Sequence, residues 1–310
     1  MIEWKEVIKM DMYQKRKIRA EKKNNDSQKS FSKVPSSWYP GHMAKAKREI
    51  KEKLDFIDIV YEIIDARRPL SSRIPLDEFT KNKEKIIIVT KYDLCDKTRT
   101  DEILKKLPEE HILTFDLKSS NKQDINNLIK MTNIILKPLN DQRVKKGLKP
   151  RTFRALVVGA PNVGKSTLIN RIRGKNVQIT GNKAGITKSL TWIKISNTIE
   201  LLDTPGILYP KITSKEVGFN LASLASINEN ILNKEEISNY IITTLKNKYP
   251  SILENRYNIK LTSYENEDIF NLIGRSTNSY KKGMELDRER IYTIIMNDLK
   301  EGRIKNITFD

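Results

Sequence analysis

The chain has 310 residues, 31% charged and 38% hydrophobic, a balance that suits a globular protein of about two domains and excludes a disordered one. Its 58 Lys+Arg against 39 Asp+Glu leave a net charge of +19, which favours a polyanionic partner, although a solubility surplus in a lysine-rich proteome has the same signature. No apolar run approaches the ~20 residues of a membrane span, and the opening residues carry no signal-peptide core. The single cysteine, Cys95, excludes an internal disulfide and a cysteine-based zinc site, so a reducing cytosol fits best.

The charge is unevenly placed. Residues 211–310 hold 15 basic and 14 acidic side chains, so all but one unit of the surplus lies in residues 1–210. Residues 1–37 carry ten basic and five acidic groups and end in a Ser/Lys/Pro segment, which reads as a flexible basic arm. A helix over Met12–Lys23 is conceivable there. Glu3, Glu6, Asp11 and Glu21 argue against an organelle transit peptide.

Trp38-Tyr39-Pro40-Gly41-His42 then makes a turn, and Met43 to Lys53 reads as a basic helix. A histidine beside a turn is, on its own, more often a structural hydrogen-bonder than a catalyst. Phe56–Ile64 and Lys85–Val89 are continuous apolar runs rich in β-branched residues, the pattern of parallel strands buried on both faces. The first ends in Asp65-Ala66-Arg67-Arg68-Pro69 and the second in Thr90-Lys91-Tyr92-Asp93. Ile112–Phe115 is a third strand, followed by Ser119-Ser120-Asn121 and a helix from about Asp124 to Leu136. Residues 137–151, with Pro138, Gly147 and Pro150, read as a linker.

The linker leads into the stretch around which the chain is organised. The apolar run Phe153–Val158 meets Gly159-Ala160-Pro161-Asn162-Val163-Gly164-Lys165-Ser166-Thr167 and then a helix start, which is the strand–loop–helix setting of a P-loop. Glycines let the backbone wrap an anion, and the N–H groups of Asn162 to Thr167 point at phosphates from a helix N-terminus. Lys165 would reach the β- and γ-phosphates, and the Ser166 hydroxyl would ligate Mg²⁺. A glycine-punctuated loop containing Thr187 follows, then a hairpin, Leu190–Ile195 and Thr198–Leu202, whose second strand ends in Asp203-Thr204-Pro205-Gly206. Beyond Pro210 helical patterns dominate: Glu216–Ile227, Lys234–Lys248, Asp268–Gly274 and Leu286–Leu299.

In an open α/β sheet, ligands bind outside the carboxyl ends of the strands, where all four of these loops would gather. Asp203 has the placement to hold Mg²⁺ through water, Thr187 could complete the ion's shell, and Gly206 can offer its N–H to the γ-phosphate. Asp93 can accept two hydrogen bonds from guanine, which adenine cannot supply, so the pair selects the base. Lys91 would lie along the base, and Ser119 and Ser120 would approach its O6 edge. An ATPase or kinase would explain the P-loop but not this guanine set.

The order is unusual, because the base-reading motifs precede the P-loop. In this the chain resembles the circularly permuted GTPases, and WYPGHMAKA, DARRP, GAPNVGKSTLIN, AGITKSLTWIK and ELLDTPGILYPK closely resemble the ribosome biogenesis GTPase A, or YlqF, family over roughly residues 36–310. The resemblance implies an α/β fold with a mostly parallel sheet and motif order G4-G5-G1-G2-G3. The domains expected are a basic arm (1–35), a permuted G domain (36–210) and an all-helical, ribosome-binding domain (211–310).

It further implies a cytoplasmic GTPase that helps mature the large ribosomal subunit and is stimulated by it, an organellar matrix being the alternative setting. The expected partners are GTP or GDP and the large subunit with its rRNA, with no membrane and no DNA. Where many small GTPases place a water-orienting glutamine after DxxG, this chain has Ile207, which cannot orient water. The family's answer is the PGHM histidine, here His42, which makes it the catalytic candidate. Asn162 is similar to the asparagine that binds K⁺ in cation-dependent GTPases, and it could equally be a loop-shaping residue. Thr90 departs from the usual asparagine of the base motif. Loss of loop-tethering bonds and somewhat weaker nucleotide binding are therefore expected, with guanine preference kept by Asp93. A scaffold that binds GTP but barely hydrolyses it is the second reading.

Overall fold

The computed structural model describes residues 48, 50–75, 80, 83–117, 122–173, 191–203, 212–226, 233–261 and 265–310, all within one unit spanning His42–Asp310. Six strands form one sheet: β1 (Ile59–Asp65), β2 (Glu84–Thr90), β3 (Ile112–Phe115), β4 (Phe153–Gly159), β5 (Thr191–Lys194) and β6 (Ile199–Asp203). Their order is β3-β2-β1-β4-β6-β5, parallel throughout except for β5, which runs antiparallel to β6. The continuous apolar runs are the cause. All seven residues of β1 are buried, which only a sheet covered on both faces allows.

Helices α1 (Lys97–Leu104), α2 (Gln123–Lys145) and α3 (Lys165–Arg173) accompany these strands. Leu128 and Leu136 of α2 and Leu168 and Ile169 of α3 join Ile59, Tyr61, Ile63, Ala155 and Val157 in one core cluster. On the other face Ile64, Ile87 and Val89 pack with Leu104 of α1. The Tyr61 hydroxyl, buried in the first cluster, is matched at 2.6 Å by Thr132 Oγ1 of α2.

The expected linker over 137–151 is corrected: α2 runs on through Pro138 to Lys145. A proline in a helix removes the bond to the carbonyl four residues earlier. Here that residue is Ile134, on the exposed side of α2. The first strand begins at Ile59 rather than Phe56, because Leu54–Phe56 form a 3₁₀ turn.

Five further helices follow: α4 (Lys215–Ser223), α5 (Lys234–Lys248), α6 (Pro250–Tyr257), α7 (Asn266–Ser276) and α8 (Arg288–Lys300). Side chains cap three of their starts, with Ser214, Asn233 and Asp287 accepting from backbone N–H groups of Val217, Glu235 and Arg290. α5 lies at the centre and touches the other four. α6 was not anticipated; Pro250 is its first-turn residue, a position where a missing N–H costs nothing. The residues after α8 return to the sheet. Ile304, Ile307, Thr308 and Phe309 are buried, with Asn306 N donating to Leu94 O at 2.8 Å and Phe309 N to Arg67 O at 2.7 Å.

Candidate functional site

The strand register sets the site. Asp65 at the end of β1 pairs with Thr90 at the end of β2, and Thr90 with Phe115 at the end of β3. On the other side Ile63 pairs with Gly159 at the end of β4, and Val157 with Asp203 at the end of β6. The chain runs outward from β1 through β2 and β3, then returns to β4 on the opposite side. β1 and β4 therefore flank the point where strand order reverses, the usual binding crevice of such sheets.

Two glycines at the end of β4 and in the loop after it are required, the first by contact and the second by its backbone conformation. A Cβ on Gly159 would lie 2.9 Å from the Ile63 carbonyl oxygen. Gly164 has φ +101°, and a Cβ there would sit 2.5 Å from Leu117 Cδ1. Lys165 is buried at 5% exposure at the first position of α3, while Ser166 is half-buried and Thr167 exposed. Asn162 has φ 60°, in the left-handed region. Its Nδ2 donates to Ala225 O at 2.5 Å, which leaves its amide oxygen as the atom able to face a cation.

The loop from Thr90 to Asp93 lies against the P-loop. The Thr90 hydroxyl, fully buried, bonds the Val163 carbonyl and also approaches Ile64 O at 3.0 Å. The tether expected to vanish with the asparagine is thus present, because β2 ends close enough to the P-loop for a shorter side chain to span the gap. Lys91 has φ 58°, and its Nζ donates to Asn162 O at 2.5 Å and to Asp65 Oδ2 at 3.0 Å. Asp93 is half-buried on the following 3₁₀ turn, and no hydrogen bond ties its carboxylate among the described residues. His42, Ser119, Ser120, Thr187 and Gly206 lie outside the described residues, as does the side chain of Asp203, whose backbone ends β6.

Sequence reasoning assigned no role to the residues between these loops. Asp65 is fully buried, receiving Arg67 Nε at 3.0 Å and Arg67 Nη2 at 2.9 Å in addition to Lys91. Burial alone would raise its pKa, but Arg67, Lys91 and Arg68 together hold the carboxyl well below the usual range. Arg68, also fully buried, donates to Asn220 O at 3.2 Å and Leu221 O at 3.0 Å near the end of α4, and to Ser226 Oγ. Ser226 in turn donates to the Pro161 carbonyl in the P-loop. Burial pulls the Arg68 pKa down to about 10, so it stays charged at neutral pH. The only signal in the sequence was the family motif DARRP itself.

A profile described as "50S ribosome-binding GTPase" matches residues 154–253, from β4 into α6, and leaves β1 to β3 upstream. Ribosome biogenesis GTPase A of Bacillus licheniformis is 39% identical over 274 residues, covering 88% of this chain and 97% of that one. The GNP-bound crystal structure of YlqF from T. maritima superimposes with a TM-score of 0.58 at 27% identity, covering 86% of this chain and 97% of that chain. Its GDP-bound structure gives 0.57, at 27% identity and coverages of 85% and 98%. With the permuted motif order, the matching fold and an alignment over nearly the full length of a curated relative, the chain belongs to the ribosome biogenesis GTPase A family.

Proposed function

We propose that the chain hydrolyses GTP as an assembly factor for the large ribosomal subunit, binding the pre-subunit and its rRNA in the GTP state and leaving after hydrolysis. The carrying observation is the Thr90–Val163 bond, which sets a guanine-type loop against a P-loop at the crevice of the sheet. In this reading Asn162 to Thr167 and Gly206 take the phosphates, and Thr90, Lys91, Asp93, Ser119 and Ser120 take the base.

Ser166, Thr187 and Asp203 would hold Mg²⁺, with β4 and β6 adjacent so that the first and last start from neighbouring strand ends. Asn162 would offer its free amide oxygen to K⁺. Both cations, when bound, supply positive charge to the phosphates. His42 would orient the attacking water, since Ile207 cannot. Stimulation by the subunit would follow if docking brings His42 into place.

Residues 1–35 would serve as a basic arm, 36–210 as the G domain, and 211–310 as the helical domain that meets rRNA. The surplus charge, which lies almost wholly in residues 1–210, supports contact with a polyanion by the arm and G domain as well. The family's bacterial members support a cytoplasmic setting, and no helix among the described residues is long and apolar enough to cross a membrane. Sedimentation with purified large subunits tests the switch. Co-pelleting with a non-hydrolysable GTP analogue and release with GDP is expected; equal pelleting in both states would contradict it.

A further inference from the structure

Asp65 belongs to none of the phosphate, metal or base-reading motifs, yet it stands at the strand end between them. Its two oxygens are fully engaged. Arg67 donates to Oδ1 through its backbone N at 3.1 Å and Nε at 3.0 Å, while Nη2 and Lys91 Nζ reach Oδ2 at 2.9 and 3.0 Å. Arg67's remaining nitrogen, Nη1, donates at 2.7 Å to Leu299 O in the last turn of α8. A planar guanidinium can grip a carboxylate with two nitrogens and still reach a third acceptor, which a lysine cannot do.

Lys91 needs this support. It is a non-glycine residue at φ 58° and ψ 31°, a conformation held only where the surroundings fix it. The ammonium spans Asp65 and the Asn162 carbonyl, so the carboxylate determines where the lysine stem runs across the crevice. We infer that Asp65, braced by Arg67 against the end of α8, is a positioning residue for guanine-nucleotide binding, acting through Lys91. The inference rests on the reading of Lys91 as the residue that lies along the base. It makes nucleotide affinity depend on the docking of a helix more than 200 residues away in sequence, since Leu299 follows Arg67 by 232 positions.

The test is a double-mutant cycle on the full chain, titrating GDP and ADP into wild type, Asp65→Asn, Lys91→Met and the double variant, with a thermal melt of each. Asp65→Asn keeps the shape and removes the charge. GDP binding about tenfold weaker is expected, the worth of one hydrogen bond to a charged group. In the Lys91→Met background the same change should cost nothing further, because its route to the base is already cut.

An undiminished penalty in that background, or no loss of affinity in the single variant, would overturn the inference. If Asp65→Asn does not fold, Arg67→Lys serves. It keeps a cation but loses the fork and the Leu299 bond, and weaker GDP binding that vanishes with Lys91→Met is expected. A lower melting temperature with unchanged GDP affinity would reduce the pair to a fold anchor. A wild type that prefers ADP would instead bring down the guanine reading, and the inference with it.

Discussion

Thr90 reaches the Val163 carbonyl with its hydroxyl, joining the loop after β2 to the P-loop through a side chain shorter than the asparagine usual at that motif position. The hydroxyl has one proton and two carbonyls in reach, Ile64 and Val163, so it sits where the ends of β1 and β2 meet the P-loop. Removing it by Thr90→Val keeps the shape and leaves the Val163 carbonyl without this donor. A loss of about 1–2 kcal/mol in stability and a several-fold weaker GDP affinity are expected. Denaturant titration and calorimetric binding would read both.

Gly164→Ala should be far more damaging. Its φ of +101° is hostile to any L side chain, and the added methyl would meet Leu117 Cδ1 at 2.5 Å and the Thr90 hydroxyl at 3.4 Å. The Leu117 side chain can turn aside, but the backbone strain falls on the loop whose N–H groups phosphate binding depends on. A loss of GDP affinity of about five- to 150-fold is expected, from a backbone strain of about 1–3 kcal/mol. Titration against wild type measures it.

The last residues of the chain are structural. Phe309 is 1% exposed and stacks on Tyr240 with ring centroids 6.2 Å apart, while its backbone bonds Arg67. Phe309→Ala should cost about 3–5 kcal/mol. Thermal unfolding followed by circular dichroism would show the drop.

Lys91 gives a pH dependence with a definite sign. Burial pulls its pKa down from 10.5 to about 8, with Asp65 pulling the other way. Below pH 8 both folded and unfolded chains hold the proton, and the penalty for burying the ammonium is complete. Between pH 8 and 10.5 the unfolded chain holds more protons than the folded one, so stability rises with pH across that window. The stability difference between wild type and Lys91→Met should therefore shift in favour of wild type from pH 8 to pH 10. Asp65 acts at the other extreme. Its depressed pKa contributes stability above the unfolded value of 3.8, and this is lost as pH falls below it.

The sheet was legible because its strands are buried on both faces. Ile112–Phe115 and Lys234–Lys248 coincide with their observed elements, and the hairpin after the P-loop closes as its pattern suggests. Pro138 misled, since it lies within a helix that continues through it, and the helix that Pro250 opens was not read from the sequence at all. The P-loop could be read from spacing, because its chemistry fixes the residue types. Asp65, Arg67 and Arg68 could not. Asp65 is gripped by Arg67 and Lys91, while the two arginines reach the Leu299, Asn220 and Leu221 carbonyls, which any sequence would supply, and only folding shows which of them come within reach.

The measurement that bears most directly on the central claim is GTP turnover in KCl and in matched NaCl, with and without purified large ribosomal subunits, for wild type and His42→Ala. The expected result is a strong rise with subunits, supported by K⁺, and its disappearance in His42→Ala while GDP still binds. Turnover that subunits leave unchanged would contradict the assembly-switch reading, and an unimpaired His42→Ala would remove the histidine from the mechanism.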